Sequence, residues 1–242
     1  HLFSLFYKSR FLDLIHNFII FDSGIKKICR HNQFFGIKKA QLKLAKKQGG
    51  IIWHTQGSGK TLTMVWLSKW ILQNNSNARV LIITDREELD EQIEKKYQGV
   101  TEKITRITSC TDLIKNLDST IQVDKNDKAN TSGRMLCSLI HKFGVHGTAA
   151  EQDNAARKKS VEQFIKELKA SLPKNFRAKG DFFVFVDECH RTQSGLLHIG
   201  MKEILPDAVF IGFTGTPLLV KDKKTSLEVF APGYIHTYKY DE

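Results

Sequence analysis

The sequence predicts an α/β fold in which a mainly parallel sheet is flanked by helices. Short apolar runs, Gly50-Ile51-Ile52-Trp53, Val80-Leu81-Ile82-Ile83, Phe182-Phe183-Val184-Phe185-Val186 and Ala208-Val209-Phe210-Ile211-Gly212-Phe213, read as strands buried on both faces. Segments with helical periodicity lie between them, giving the strand–helix–strand order that parallel pairing requires. Each run also ends in polar residues capable of chemistry, as expected where parallel strands finish at one edge.

At 242 residues the chain is long enough for one large domain or two small ones, and 41% hydrophobic content fills a core. Lys and Arg total 37 against 26 Asp and Glu, a formal charge of +11 that favours polyanions and makes nucleic acid the first candidate partner. Cysteines at 29, 110, 137 and 189 make no C-x-x-C pair, which argues against a zinc site or disulfide framework and fits a reducing, cytoplasmic compartment. No apolar run approaches the ~20 residues of a membrane span and no signal peptide leads the chain, so no membrane partner is expected. The start at His1, without Met, suggests a fragment.

Residues 1–47 read as a helical lead-in. Phe11, Leu14, Ile15 and Phe18 fall at helical spacing and predict a packed amphipathic helix ending around Phe21-Asp22-Ser23-Gly24. A second helix is expected over Ile28 to Lys47, with lysines at 38, 39, 43, 46 and 47 on its exposed surface. Residues 48–242 read as one lobe of alternating strands and helices. Leu62 to Leu72 is apolar nearly all round, as in a helix buried beside a sheet. Asn74 to Asn77 reads as a turn; Leu89, Ile93 and Tyr97 mark another helix, and a weaker strand and helix follow through Ile104–Ile107 and Leu113–Leu117. Polar residues 118–133 are expected to form a surface insertion, Met135–Ile140 a strand and 144–154 a loop. Val161, Phe164, Ile165, Leu168 and Leu172 predict a helix ending at Pro173, whose basic face (Arg157, Lys158, Lys159, Lys166, Lys169) suits either solvent or nucleic acid.

Three elements carry the chemistry. His54-Thr55-Gln56-Gly57-Ser58-Gly59-Lys60-Thr61 reads as a phosphate-binding loop opening a helix. Glycines 57 and 59 allow a tight turn with N–H groups facing one concavity, Lys60 supplies an ammonium for the β- and γ-phosphates, and the Thr61 hydroxyl suits Mg²⁺. His54 stands where the general pattern has glycine. Asp187-Glu188 follow an apolar strand directly, placing two carboxylates where a nucleotide's Mg²⁺ and attacking water need them: Asp187 for the ion, Glu188 for the water. Thr214-Gly215-Thr216-Pro217 puts two hydroxyls at the same edge, within reach of the His190 region. Upstream, the Gln33 amide carries the donor and acceptor an adenine edge matches, though a glutamine is more commonly plain surface. Thr84-Asp85-Arg86 closes a strand at the ligand edge, making Arg86 a candidate contact to a nucleic-acid backbone.

Together these segments resemble the superfamily 2 helicase-like motors, and more narrowly the restriction (R) subunit of type I restriction-modification enzymes. Phe11 to Phe18, Arg30-His31-Asn32-Gln33, Asp187-Glu188-Cys189-His190-Arg191-Thr192-Gln193 and Ser138-Leu139-Ile140-His141-Lys142-Phe143 join the resemblance, so it covers nearly the whole chain. It implies the first RecA-like lobe of a P-loop NTPase using ATP and Mg²⁺. The adenine and phosphate residues are then Gln33, Thr55, Gln56, Gly57, Ser58, Gly59, Lys60 and Thr61, and the hydrolysis pair is Asp187 and Glu188. His190, Gln193, Thr214, Gly215 and Thr216 become a coupling element, and Thr84, Arg86 and Lys142 DNA contacts. Cys189 stands where many relatives have alanine. Double-stranded DNA and the methylation and specificity subunits are the implied partners, and translocation leading to cleavage the implied activity.

The nuclease domain that precedes the motor in this family, and the second RecA-like lobe with its arginines, are both expected to lie outside this sequence, so the fragment alone should hydrolyse ATP very slowly. Glu94-Lys95-Lys96 and Glu167-Leu168-Lys169 mimic a nuclease Glu-x-Lys but fall on predicted helices. A strand-separating helicase shares every motif named; movement on duplex DNA without unwinding separates the two. A nucleotide-binding switch without turnover leaves Asp187-Glu188 unexplained, and a small-molecule kinase leaves Asp187 to His190 and Thr214 to Pro217 unexplained.

Overall fold

In the computed structural model, residues 6–22, 24–84, 104–120, 122–123, 131–139, 154–189, 192–216, 230 and 232–239 are described. Helix α1 (Lys8–Asn17) leads into a hairpin of β1 (Ile19–Asp22) and β2 (Ile25–Ile28), then α2 (His31–Leu44), β3 (Gly50–His54), α3 (Lys60–Asn74) and β4 (Ala78–Thr84). There follow β5 (Ile104–Ile107), α4 (Cys110–Asp118), a small ladder of β6 (Gln122–Val123) with β7 (Thr131–Ser132), and β8 (Met135–Leu139). The last elements are α5 (Asn154–Ala170), β9 (Asp181–Val186), α6 (Thr192–Ile204), β10 (Val209–Thr214) and β11 (Tyr234–Tyr238).

Seven strands form one sheet in the order β11-β3-β10-β9-β4-β8-β5, and every neighbouring pair is parallel. Side chains alternate across it into two cores. Ile52, Val80, Ile82, Phe185, Ile211 and Phe213 pack with α1, α2 and α3, while Ile51, Leu81, Ile83, Val184, Val186 and Phe210 pack with α4, α5 and α6. This is the expected sheet with helices on both faces, and continuous apolar runs are its sequence signature. The lead-in shares the first core through Leu14, Phe18, Phe34, Ile37, Ala40 and Leu44.

Helix α3 illustrates what holds the layers together. Its β-branched and aromatic residues each give up a few tenths of a kcal/mol of helix propensity, whereas burying one such side chain is worth roughly 1.5–3 kcal/mol. Met64, Val65, Trp66, Leu67, Ile71 and Leu72 are all buried, so packing decides the helix.

The lead-in differs from expectation. The first helix stops at Asn17, and the chain turns into the β1–β2 hairpin, paired from Ile19↔Ile28 to Asp22↔Ile25. Ile19-Ile20-Phe21 prefers a pleated strand, and Gly24 at φ +81° makes the reversal, whereas helical spacing had read straight through Phe18. Leu14 and Phe18 pack as expected, but Phe11 and Ile15 are 39% and 47% exposed. The second helix is correspondingly shorter, because Ile28 belongs to β2. Helix α6 and strand β11 were not anticipated, although Leu197, Met201, Ile204 and Leu205 carry helical spacing. The expected strands at 104–107 and 135–139 and the helix within 154–170 are present, and Glu167 and Lys169 lie on that helix. The helix expected at Leu89 to Tyr97, the loop over 144–153 and most of the polar insertion lie outside the described residues.

The edge of the sheet opposite the strand C-termini is fastened by Arg79, which is wholly buried. Its guanidinium donates to the carbonyls of Gly133 (2.8 Å), Asn116 (2.7 Å), Ser119 (3.0 Å), Lys179 (3.1 Å) and Leu117 (3.4 Å), and lies 4.9 Å from the centroid of Phe182. Burial pushes its pKa down to about 10, still charged at neutral pH, and the C-terminal carbonyls of α4 suit a cation. Arg79→Met should cost about 2–4 kcal/mol because several buried acceptors lose their donor. Urea unfolding checks this; a loss below ~0.5 kcal/mol, typical of a surface change, would refute the clasp.

His198 on α6 lies 4.4 Å from the Phe210 ring centroid and 5.4 Å from that of Phe230. Burial, helped by Lys202, lowers its pKa to about 4. The unfolded chain therefore takes up a proton near pH 6.5 that the folded chain refuses, so stability is lost as pH falls from about 6.5 to about 4. His198→Gln should shrink the difference in melting temperature between pH 7 and pH 5; an unchanged difference would contradict this assignment.

Candidate phosphate-binding site

Strand β3 ends at His54, and after five intervening residues α3 begins at Lys60. Between them Gly57 and Gly59 take φ of +79° and +85°, conformations that side chains with a Cβ avoid. A Cβ on Gly59 would also stand within 2.4 Å of Gln33 Nε2, whereas one on Gly57 would meet open space. The loop's carbonyls are held by the lead-in: Arg30 Nη1 donates to Gly57 O (3.2 Å), Asn32 Nδ2 to Ser58 O (3.5 Å) and Gln33 Nε2 to Gly59 O (3.0 Å). Within the loop Ser58 N donates to Thr55 O (3.2 Å), closing the turn at its base. The helix start adds the N–H groups of Lys60, Thr61 and Leu62, which precede the first helical bond, from Thr63 N to Gly59 O (3.1 Å).

The site fits a polyphosphate on two further observations. Ser58 Oγ is buried without a hydrogen-bond partner, an arrangement that costs free energy unless a ligand completes it. Lys60 directs its ammonium toward the turn after β10, where a Cβ on Gly215 would sit 2.8 Å from Nζ. Thr55 is buried, Thr61 half-buried and Gln56 exposed.

Because β10 lies between β3 and β9, the second and third elements arrive at the same edge. Asp187 N donates to Ile83 O on β4 (3.0 Å), and two residues later Cys189 N donates to Phe213 O on β10 (3.0 Å). The chain leaving β9 thus bonds first to one neighbour and then to the other, with Glu188 at the apex. Glu188 has φ +47°, one of three non-glycine residues with positive φ among those described. Such a conformation costs roughly 1–2 kcal/mol and persists only where the surroundings impose it. Asp187 is 8% exposed, and the wholly buried Cys189 fills the space above Gly212, where a Cβ would lie 2.5 Å from Sγ. Burial, then the charges of Asp187 and Glu188, push the Cys189 thiol well above its usual pKa, so it packs and does not react.

Thr214 has no exposed surface. Its Oγ1 donates to Thr216 O (3.0 Å) and accepts from Thr216 N (3.1 Å), bracketing Gly215 in a fixed turn. Gln33, 2% exposed, accepts from Arg30 N (2.7 Å) as well as donating to Gly59, so its amide first serves the loop; one N–H and one lone pair remain.

Thr84 ends β4 with no exposed surface. Arg86, Lys142 and His190 lie outside the described residues, as does the side chain of Gln193, which falls on α6. Arg30, Asn32 and His236 were not expected at the site. The first two lie beside Gln33 within one helical turn, a spacing that offered a signal, whereas His236 had none.

Comparison with known proteins places this geometry. A Methanocaldococcus jannaschii protein provisionally named type I restriction enzyme MjaIXP endonuclease subunit is 30% identical over 253 aligned residues, 100% of this chain and 21% of that one. The type I restriction enzyme HindI endonuclease subunit of Haemophilus influenzae is 29% identical, covering 94% of this chain and 21% of that one. The chain therefore spans about a fifth of the length of these curated relatives. The fold matches a nuclease-deletion mutant of the Type ISP restriction-modification enzyme LlaGI, solved with a DNA substrate mimic, at a TM-score of 0.56 and 17% identity over 88% of this chain and 20% of that one. The family model described as SWI2/SNF2 ATPase matches residues 32–242, from the lead-in helix that holds the phosphate loop through to β11, and the chain belongs to that family.

Proposed function

We propose that this chain is the ATP-binding motor lobe of a type I restriction enzyme endonuclease subunit, which moves double-stranded DNA by ATP hydrolysis ahead of cleavage in the full complex. The observation that carries the reading is the meeting of the phosphate loop and the Asp187-Glu188 turn at one sheet edge, two strand spacings or about 10 Å apart. The resemblance to R subunits and the likeness to a restriction-modification enzyme solved with a DNA substrate mimic support DNA as the track. The methylation and specificity subunits are the proposed partners, and the cytoplasm the proposed compartment. Among the described residues no helix is long and apolar enough to cross a membrane.

In this mechanism the turn from Gln56 to Gly59 receives the phosphate chain, with Thr55 N held by Tyr238 O and Ser58 N by Thr55 O at its base, and Lys60 neutralises charge at the β- and γ-phosphates. Gln33 offers its remaining donor and acceptor to the adenine edge. Thr61 and Asp187 are the residues that would hold Mg²⁺, which when bound screens phosphate charge. Glu188 accepts the proton of the water that attacks the γ-phosphorus as the bond to the β-phosphate breaks. The Thr214-Gly215-Thr216 turn, fixed by its own hydroxyl and faced by the Lys60 ammonium, passes the state of the nucleotide to His190 and Gln193. Arg86, Lys142 and the basic face of α5 are the DNA-contact candidates.

Removing the Lys60 ammonium by Lys60→Ala should weaken MgATP binding about 10–100-fold, the value of one charge-assisted contact, as read by calorimetry. In the full-length subunit Glu188→Gln should keep nucleotide binding and lose turnover, since an amide cannot accept the water's proton, while Asp187→Asn should raise the Mg²⁺ needed for half-maximal rate. Wild-type phosphate release from both carboxylate variants would refute these roles. Duplex translocation separates this reading from a helicase through a triplex-displacement assay run beside an unwinding assay: displacement without unwinding is expected, and unwinding at a matching rate would favour the helicase.

A further inference from the structure

His54 occupies the position that opens the phosphate loop, and its imidazole has no exposed surface. On one side its Nε2 lies 2.8 Å from Nδ1 of His236 on β11, and on the other its Nδ1 lies 3.5 Å from Nδ2 of Asn32 on α2. The same Asn32 nitrogen lies 3.5 Å from Ser58 O. A carbonyl only accepts, so the Asn32 group facing Ser58 is its NH₂, which also donates to His54 Nδ1. His54 must then carry its proton on Nε2 and donate to His236 Nδ1. The chain of donors runs in one direction, from Asn32 through His54 to His236, and requires His54 to be neutral.

The packing enforces the same state. The two imidazoles sit against the bare backbone of Gly36, where a Cβ would stand 3.0 Å from His54 Cε1 and Nε2 and 3.5 Å from His236 Nδ1. Burial, then the neighbouring His236 and Lys60, lower the pKa of His54 to about 3. Tyr238 of β11 lies 6.1 Å from the His54 ring, centroid to centroid, and 5.3 Å from that of His31 on α2. Directly after His54, Thr55 N donates to Tyr238 O (3.3 Å). The root of the loop is therefore tied to edge strand β11 by one main-chain and one side-chain bond, and its crest to α2 through Asn32.

We propose that His54 is a positioning residue for the phosphate loop, acting as a neutral relay between Asn32 and His236 that fixes the loop against strand β11, so that nucleotide affinity depends on an acceptor at position 236. This rests on the reading of the loop as the nucleotide site. In a general phosphate loop a glycine at this point leaves the root unsupported by any side chain; here the imidazole makes β11, which is distant in sequence, part of the loop's frame. It does not touch the phosphates and supplies no catalytic group.

The test uses the 242-residue chain, with MgATP affinity from calorimetry at pH 7.5, melting temperatures, and ¹⁵N NMR of the histidine rings. His236→Leu removes the acceptor at similar volume, whereas His236→Asn returns an oxygen, Oδ1, to the place of Nδ1. Binding should weaken roughly tenfold in His236→Leu, the scale of one buried donor left unmet, and recover to within about threefold of wild type in His236→Asn. A packing role alone would lower the melting temperature without this pattern of loss and rescue. In the unmodified chain the His54 spectrum should show Nε2 protonated and Nδ1 bare at neutral pH. Full affinity in His236→Leu, no recovery in His236→Asn, or a proton on His54 Nδ1 would each overturn the relay. Lys60→Ala is the internal control. Its loss of affinity beside an unaffected His236→Leu defeats the relay alone, whereas undiminished MgATP binding by Lys60→Ala, or none by the unmodified chain, defeats the nucleotide-site reading itself.

Discussion

Parallel pairing is the constraint on which the rest of this molecule depends. Strands that run in one direction deliver all their C-termini to one edge, and their connections must return along the faces as helices. Because β3, β10 and β9 are adjacent, the phosphate loop, the Asp187-Glu188 turn and the Thr214-Gly215-Thr216 turn meet there although they are far apart in sequence. The opposite edge carries none of these groups and is spent on stability, with the buried Arg79 gathering carbonyls from α4, the turn before β8 and the approach to β9.

The functional edge keeps an unfavourable geometry in place by bonding on both flanks. Glu188 stays in a left-handed conformation because Asp187 and Cys189 are each pinned by a main-chain bond to a different neighbouring strand, and Cys189 is locked above Gly212. The phosphate loop follows the same logic: donors from Arg30, Asn32 and Gln33 take successive carbonyls, and glycine supplies the backbone angles. Preorganisation of this kind suits phosphoryl transfer, where positioning and electrostatics supply most of the rate. It also explains the size of the lead-in. Arg30, Asn32 and Gln33 hold the loop's carbonyls, and α2 shares the core of the sheet that keeps them in place.

Much of the site was legible from local chemistry. Gly57, Gly59 and Lys60 read as a phosphate loop because two glycines and a lysine stand between an apolar strand and an apolar helix, and Asp187-Glu188 stand out because two carboxylates directly follow five apolar residues. The hairpin at 19–28 was hidden, since its first residues continue the helical spacing of Phe11, Leu14 and Phe18 and its second strand, with two lysines, lacks an apolar pattern. Strand β11 was hidden for a different reason: only its partner β3 makes Tyr234–Tyr238 a strand of the main sheet.

By itself, then, the sequence determined the alternation of strand and helix, the burial of four strands on both faces, and the chemical character of the loop and the acidic pair, because periodicity, side-chain volume and backbone permissiveness are local properties. Only the tertiary structure decided strand order, and with it which groups share an edge. It alone turned Thr84 inward, gave Gln33 a second task at Gly59, and brought His236 to His54 across 182 residues. Those outcomes depend on which buried surfaces pair, and pairing is settled by the competition of all apolar faces for one core, which no single segment of sequence contains.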